Sequence, residues 1–146
     1  MLQALVQRVL SAEIEIQDQL HARIESGLLA FICFEPADSI QTLDSFIKKI
    51  ENFYFFDDDS NVMSTSLKEI DAELMIVSQF TLSGITSKGN KPSFHKAAPP
   101  ALALTLYNKL MQKLDSSSIK YQSGVFGAHM NVTLTNTGPV TFPLYF

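Results

Sequence analysis

The chain has 146 residues, 46% of them apolar and 10% aromatic, and carries a formal net charge of −4. That length suits one domain, 1–146, able to bury a proper core. No apolar run approaches the roughly 20 residues of a membrane span, and the opening Met1-Leu2-Gln3-Ala4-Leu5-Val6-Gln7-Arg8 lacks the basic and long apolar regions of a secretory signal. Cys33 is the single cysteine, which excludes an intrachain disulfide framework and a metal cluster built on cysteine. A reducing cytoplasm is the expected compartment, and neither a cofactor nor a metal is expected.

Leu2 to Val9 and Ala12 to Ile16 alternate as two strands, Gln17-Asp18-Gln19 reads as the turn of a meander, and Ala22-Arg23-Ile24 as a short return. Gly27 opens a third apolar strand, Leu28 to Phe34. The break Glu35-Pro36-Ala37-Asp38-Ser39 offers an N-cap at Asp38 or Ser39. Ile40, Leu43, Phe46, Ile47, Ile50 and Phe53 then follow at helical spacing, which predicts a helix of about 12–14 residues. Phe53 to Phe56 is read as a short strand, and Asp57-Asp58-Asp59-Ser60-Asn61 as a solvated acidic loop without the later ligands of a calcium loop. Glu73 to Leu82 reads as a strand and Ser83 to Ala98 as a long loop. Pro99-Pro100 suits a helix start, because proline in the first turn forfeits no hydrogen bond; Leu102, Leu106, Tyr107, Leu110, Met111 and Leu114 mark that helix. Strands are expected at Ile119 to Phe126, Met130 to Thr135 and Val140 to Tyr145, the last placed at an edge or bulge by Pro143. The expected fold class is α+β, a mostly antiparallel sheet or partial barrel with two helices.

The net charge hides a skew. Residues 1–73 hold fourteen acids and five basic residues, whereas residues 74–146 hold Asp115 and six lysines. Such a skew suits a polyanion on one face, unless the two halves interleave and their charges mix. The stretch Thr86 to Lys96 carries Lys88, Lys91, His95 and Lys96 with no acid, and Gly89, Asn90 and Pro92 keep it irregular. Its lysines suit phosphates and Phe94 suits a base or sugar, although a lysine-rich loop is also compatible with simple solvation.

Two polar breaks remain. Ser78-Gln79-Phe80-Thr81-Leu82 closes the apolar run Leu74 to Val77, and Asn136-Thr137-Gly138-Pro139-Val140-Thr141 places a Gly-Pro pair before a β-favouring segment. Glycine tolerates unusual φ and X-Pro is the common route to a cis peptide. A hydrolytic triad needs a base and an orienting carboxylate, yet Asp115 is the only acid after residue 73. The groups at hand are amides, carbonyls and hydroxyls, which position water and stabilise an oxyanion. They suit a substrate that is already reactive.

These blocks, together with Gln7-Arg8-Val9, Gly27-Leu28-Leu29, Lys88-Gly89-Asn90-Lys91-Pro92-Ser93-Phe94, Ala97-Ala98-Pro99-Pro100 and Gly124-Val125-Phe126-Gly127-Ala128, occur in the order found in the D-aminoacyl-tRNA deacylases, also called D-tyrosyl-tRNA(Tyr) deacylases. The chain resembles that family over essentially its whole length. The resemblance implies a homodimer with active sites formed across the subunit interface. It implies hydrolysis of the ester joining a D-amino acid to the 3′ end of tRNA, and of glycine mischarged on tRNA(Ala). It places Ser78, Gln79, Phe80 and Thr81 at the catalytic pocket, with main-chain amides near Phe80 and Thr81 holding the oxyanion. Gly138-Pro139, in cis, would enter the partner's pocket and reject L-amino acids, with Arg8 fixing that motif and Met130 near the adenosine end. Lys88, Lys91, His95 and Lys96 would meet tRNA; no membrane and no DNA partner is expected. Tyr54, His129 and Ser64-Thr65 depart from the family pattern, and the first two bear on RNA contacts more than on the reaction. The rival readings are a serine-type esterase using Ser78 and a non-catalytic RNA-binding module.

Overall fold

The computed structural model describes residues 1–146. Strand β1 (Gln3–Ile16) is continuous over 14 residues, where the alternation predicts two strands. The reason is a bulge. Val9 pairs with Asn136 and Ser11 with Thr135, so Leu10 is an extra residue without a partner on the adjoining strand, and it is exposed. An extra residue leaves the ladder and shifts the side-chain alternation. Leu2, Ala4 and Val6 therefore face one apolar cluster, whereas Val9, Ala12 and Ile14 face a second.

Gln17 and Asp18, both at positive φ, turn the chain into β2 (Gln19–Ile24). β3 (Gly27–Cys33) follows. β1 pairs antiparallel with β3 through residues 3–9 and with β2 through residues 12–16. Helix α1 (Ile40–Asn52) begins after Ser39, whose N–H donates to Thr42 Oγ1 at 3.1 Å, one half of a capping box. Phe53 to Phe56 forms no strand; only an isolated bridge joins Phe56 to Thr65. β4 (Glu73–Ser78) ends earlier than the expected Leu82, because the chain folds into a 3-10 turn at Phe80–Ser83. Helix α2 (Pro100–Asp115) starts at the proline pair as expected.

β5 (Tyr121–Ser123) is shorter than its expected strand, and β6 (Asn131–Tyr145) merges the last two expected strands into one. β6 pairs only with β1, and Pro143 lies on this edge strand, where its missing N–H costs no ladder bond. Three ladders are antiparallel, but β3–β4 and β4–β5 are parallel. A helix between two neighbouring strands makes a crossover, and a crossover returns the chain in the same direction. β2 touches β5 and β4 across the sheet, which curls it into a partial barrel.

Both helices cover one face. Leu43, Phe46 and Ile50 of α1 and Leu106, Leu110 and Leu114 of α2 share a core with Leu28, Ala30, Ile32, Leu74 and Ile76. The opposite face carries Leu29, Met75 and Val77 in the second cluster. No helix is long and apolar enough to cross a membrane.

The bulge makes a definite expectation. Deleting Leu10 forces Ala12 and Ile14 onto the wrong face and should abolish the cooperative guanidinium unfolding transition, whereas Leu10→Ala keeps the residue count and should retain it. Phe46→Ala, at a fully buried position, should lower unfolding free energy by about 3–5 kcal/mol in the same measurement.

Candidate active site

Ser78 ends β4, and the next residue continues the ladder once more, Gln79 N–H donating to Ile32 O at 2.7 Å. The 3-10 turn then lifts Phe80 outward. Phe80 is 55% exposed and meets Phe94 edge-on, ring centres 5.1 Å apart. These residues border a pocket of about 630 Å³. Ser78, Gln79, Phe80 and Phe94 form one wall, Phe126 to Met130 another, and Ala97 to Pro100 a third. The walls are mainly apolar with few polar groups, the composition of a ligand site.

Thr81 stands beside the pocket rather than among its lining residues, and its Oγ1 accepts from Gln79 Nε2 at 2.5 Å. An amide that donates cannot remove the hydroxyl proton, so nothing here activates Thr81 as a nucleophile. Ser78 Oγ has no hydrogen bond to a histidine or a carboxylate. The esterase reading thus lacks its base.

Met130 lines the pocket, and Gly124 makes room for it: a Cβ built at Gly124 would lie 2.5 Å from the Met130 sulfur. Tyr107 on α2 donates its hydroxyl to Gly124 O at 2.7 Å, which ties the 124–130 wall to the helix. Sequence reasoning did not assign Cys33, Phe31, Phe34, His129 or Phe126 to the pocket, although all five line it. Phe31 and Cys33 had no legible signal, because strand alternation does not say which sheet face carries a cavity.

Gly138 and Pro139 are not among the residues that line this pocket and are exposed on β6. Their peptide bond is cis, and Gly138 has φ +125°, which only glycine adopts readily. Gln7 pairs with Thr141 and Val9 with Asn136, so Thr137 to Val140 leave the ladder opposite Arg8. Arg8 fills that opening: Nε donates to Thr137 O at 3.1 Å, and NH1 donates to Phe55 O at 3.0 Å and Asp57 Oδ1 at 3.2 Å. Asn136 closes the loop from inside, Oδ1 accepting from Val140 N–H at 3.2 Å and Nδ2 donating to Thr141 Oγ1 at 3.0 Å. The acidic loop is therefore not merely solvated. Asp57 also accepts from Met63 N–H at 2.8 Å, and that bond, with Arg8, holds its carboxyl below the usual range.

The charge skew is partly mixed in space. Lys113 pairs with Asp44 at 2.6 Å, and Lys120 pairs with Asp71. Lys88, Lys91 and Lys96 stay exposed and pair with no carboxylate. His95 is exposed beside them, its Nδ1 2.8 Å from Ser93 Oγ.

A hydrogen-bonding strand end thus borders an apolar pocket, and neither of its hydroxyls has a base beside it. The sequence model of the D-Tyr-tRNA(Tyr) deacylase family matches residues 5–145. A D-aminoacyl-tRNA deacylase of Pseudomonas fluorescens (strain SBW25) is 42% identical over 143 residues, covering 98% of this chain and 99% of its own length. A solved structure called c-Myc DNA Unwinding Element Binding Protein superposes with TM-score 0.92 at 34% identity, covering 99% of this chain and 98% of that one. Another, described as a probable eukaryotic D-amino acid tRNA deacylase, has TM-score 0.80 at 18% identity, covers 98% and 99%, and shares the fold. The chain belongs to the D-Tyr-tRNA(Tyr) deacylase family.

The Arg8 fork generates a test. Lysine offers a point charge instead of a planar array of donors, so Arg8→Lys should lose at least one of the three contacts. Amide exchange at Val140 should then accelerate about tenfold or more, about 1.4 kcal/mol of local opening, with the helix amides unchanged.

Proposed function

We propose that the protein hydrolyses the ester bond of D-aminoacyl-tRNA, releasing the D-amino acid and restoring the 3′-hydroxyl of tRNA. The observation that carries this reading is the Ser78-Gln79-Phe80-Thr81 strand end at the pocket mouth, in a chain of this family. The aminoacyl ester is activated, so the protein need only position water and stabilise charge. Water adds its oxygen to the ester carbonyl carbon, and main-chain N–H groups near Phe80 and Thr81 hold the oxyanion. The carbon–oxygen bond to the ribose then breaks, and the departing 3′-oxygen takes a proton. The neighbouring 2′-hydroxyl assists the water, which accounts for the absence of a protein base.

Chirality is selected by rejection. Gly138-Pro139 of one subunit enters the pocket of its twin in a homodimer and leaves no room for an L side chain. The exposure of this motif and its absence from the lining of the chain's own pocket support that arrangement. Glycine has no Cβ, so glycine mischarged on tRNA(Ala) is also a substrate. Lys88, Lys91, His95 and Lys96 receive the tRNA backbone close to the pocket wall that Phe94 supplies. Residues 1–146 of each subunit supply one deacylase domain, acting in the cytoplasm in translation quality control.

The deciding experiment incubates the pure protein with D-tyrosyl-, L-tyrosyl- and glycyl-tRNA and follows ester loss. The D and glycyl esters should disappear and the L ester survive; equal hydrolysis of both enantiomers contradicts chiral rejection. In the same assay, D-tyrosyl-tRNA ending in 2′-deoxyadenosine should be nearly inert, and an unchanged rate argues against ribose assistance. Replacing Lys88, Lys91 and Lys96 by alanine should weaken tRNA binding and reduce the salt slope by about 2–3. An unaltered slope would mean the loop is only solvated.

A further inference from the structure

Two buried side chains that this scheme does not use converge on one carbonyl. Ser83 Oγ donates to Phe80 O at 3.0 Å, and Cys33 Sγ donates to the same oxygen at 3.4 Å. Ser83 is 4% exposed and Cys33 2% exposed. They come from separate elements, Cys33 from the end of β3 and Ser83 from the end of the 3-10 turn. Cys33 also lines the floor of the pocket. Its sulfur has a second acceptor in reach, Phe34 O at 3.6 Å, but a thiol carries one proton and the Phe80 oxygen is nearer. Burial pushes the thiol pKa up, so the group keeps its proton and remains a donor through the neutral range.

The consequence follows from peptide geometry. The Phe80–Thr81 unit is planar and trans, so its C=O and N–H point in opposite directions. A carbonyl drawn inward by Ser83 and Cys33 leaves the Thr81 N–H turned the opposite way, away from that buried pair. A carbonyl oxygen has two lone pairs, and two donors from different directions restrain its rotation more than one.

We infer that Ser83 and Cys33 are positioning residues: they clamp the Phe80 carbonyl and, through the shared peptide plane, aim the Thr81 N–H at the oxyanion of the reacting ester. The inference rests on the main-chain oxyanion reading given under Proposed function. The clamp touches neither the Gly138-Pro139 loop nor the lysine loop. It governs the rate of the chemical step and leaves substrate binding and chirality alone.

Steady-state hydrolysis of D-tyrosyl-tRNA tests it, with Ser83→Ala, Cys33→Ala, the double variant, and the donor-retaining Ser83→Cys and Cys33→Ser. Loss of an oxyanion donor costs about 100-fold or more in kcat, and a misaimed donor costs part of that. Each alanine variant should lose about threefold to fivefold in kcat, since the other side-chain donor still holds the carbonyl, and the double variant about 100-fold, more than the roughly 10- to 25-fold product of independent effects. KM and the preference for D over L should not change, and the donor-retaining variants should recover most of kcat. An active wild type whose double variant keeps kcat within about twofold overturns the clamp. Losses that appear equally in KM, or that the donor-retaining variants fail to restore, also overturn it, because they mark packing rather than aim. If the double variant does not fold, single variants within about twofold of wild type overturn the clamp as well. A wild type that leaves D-tyrosyl-tRNA intact overturns the proposed function, and the clamp with it.

Discussion

Strand β1 has to serve two apolar clusters at once, and the rest of the molecule is arranged around that constraint. Its first half packs under the helices through Leu2, Ala4 and Val6; its second half turns Val9, Ala12 and Ile14 to the opposite face. The change of face occurs at Arg8, Val9 and Leu10. There β1 gains one unpaired residue, and β6 throws four residues, Thr137 to Val140, out of the ladder. A regular pair of strands has no room for either event. Arg8 occupies the gap between them and joins three segments distant in sequence: β1, the acidic loop after Phe55, and the Gly-Pro excursion. The irregularity that lets one strand feed two cores is thus the place where the exposed motif is held.

The pocket follows from a second interruption. β4 is a buried parallel strand with apolar residues on both faces, Leu74 to Val77. Such a strand offers no functional side chain along its length, so polar groups collect where it ends, at Ser78 and Gln79. The chain then tightens into the 3-10 turn, and backbone rather than side chain becomes the polar surface. Neither Ser78 nor Thr81 has a base beside it. On the mechanism proposed above, amides at this strand end need no proton transfer to work, and fixed donors lose little to reorganisation when charge develops.

Electrostatics divides along the same lines. Lys113 and Lys120 draw acids from the first half of the chain, so the skew in the sequence is cancelled where the halves meet. It persists only where no carboxylate comes within reach, including the loop beside Phe94. Asp57, in the most acidic stretch, remains exposed but is paired with the largely buried Arg8.

The two helices, their starts at Ser39 and Pro99-Pro100, and the apolar strands Leu28 to Cys33 and Leu74 to Val77 were legible in the sequence, because periodicity and capping are local properties. So was the polar strand end at Ser78-Gln79, and the family order of the motifs. What could not be read locally was decided by pairing. The merging of strands into β1 and β6 depends on a partner that spans the break, and the parallel ladders depend on where each helix returns the chain. Arg8 facing Thr137, or Cys33 and Ser83 meeting at one carbonyl, requires residues far apart in the chain to be brought within 3.0–3.4 Å. Residue types and their spacing determined which chemistry this protein could hold; only the packed sheet determined which way its backbone groups point, since a peptide plane is oriented by neighbours that the chain delivers from elsewhere.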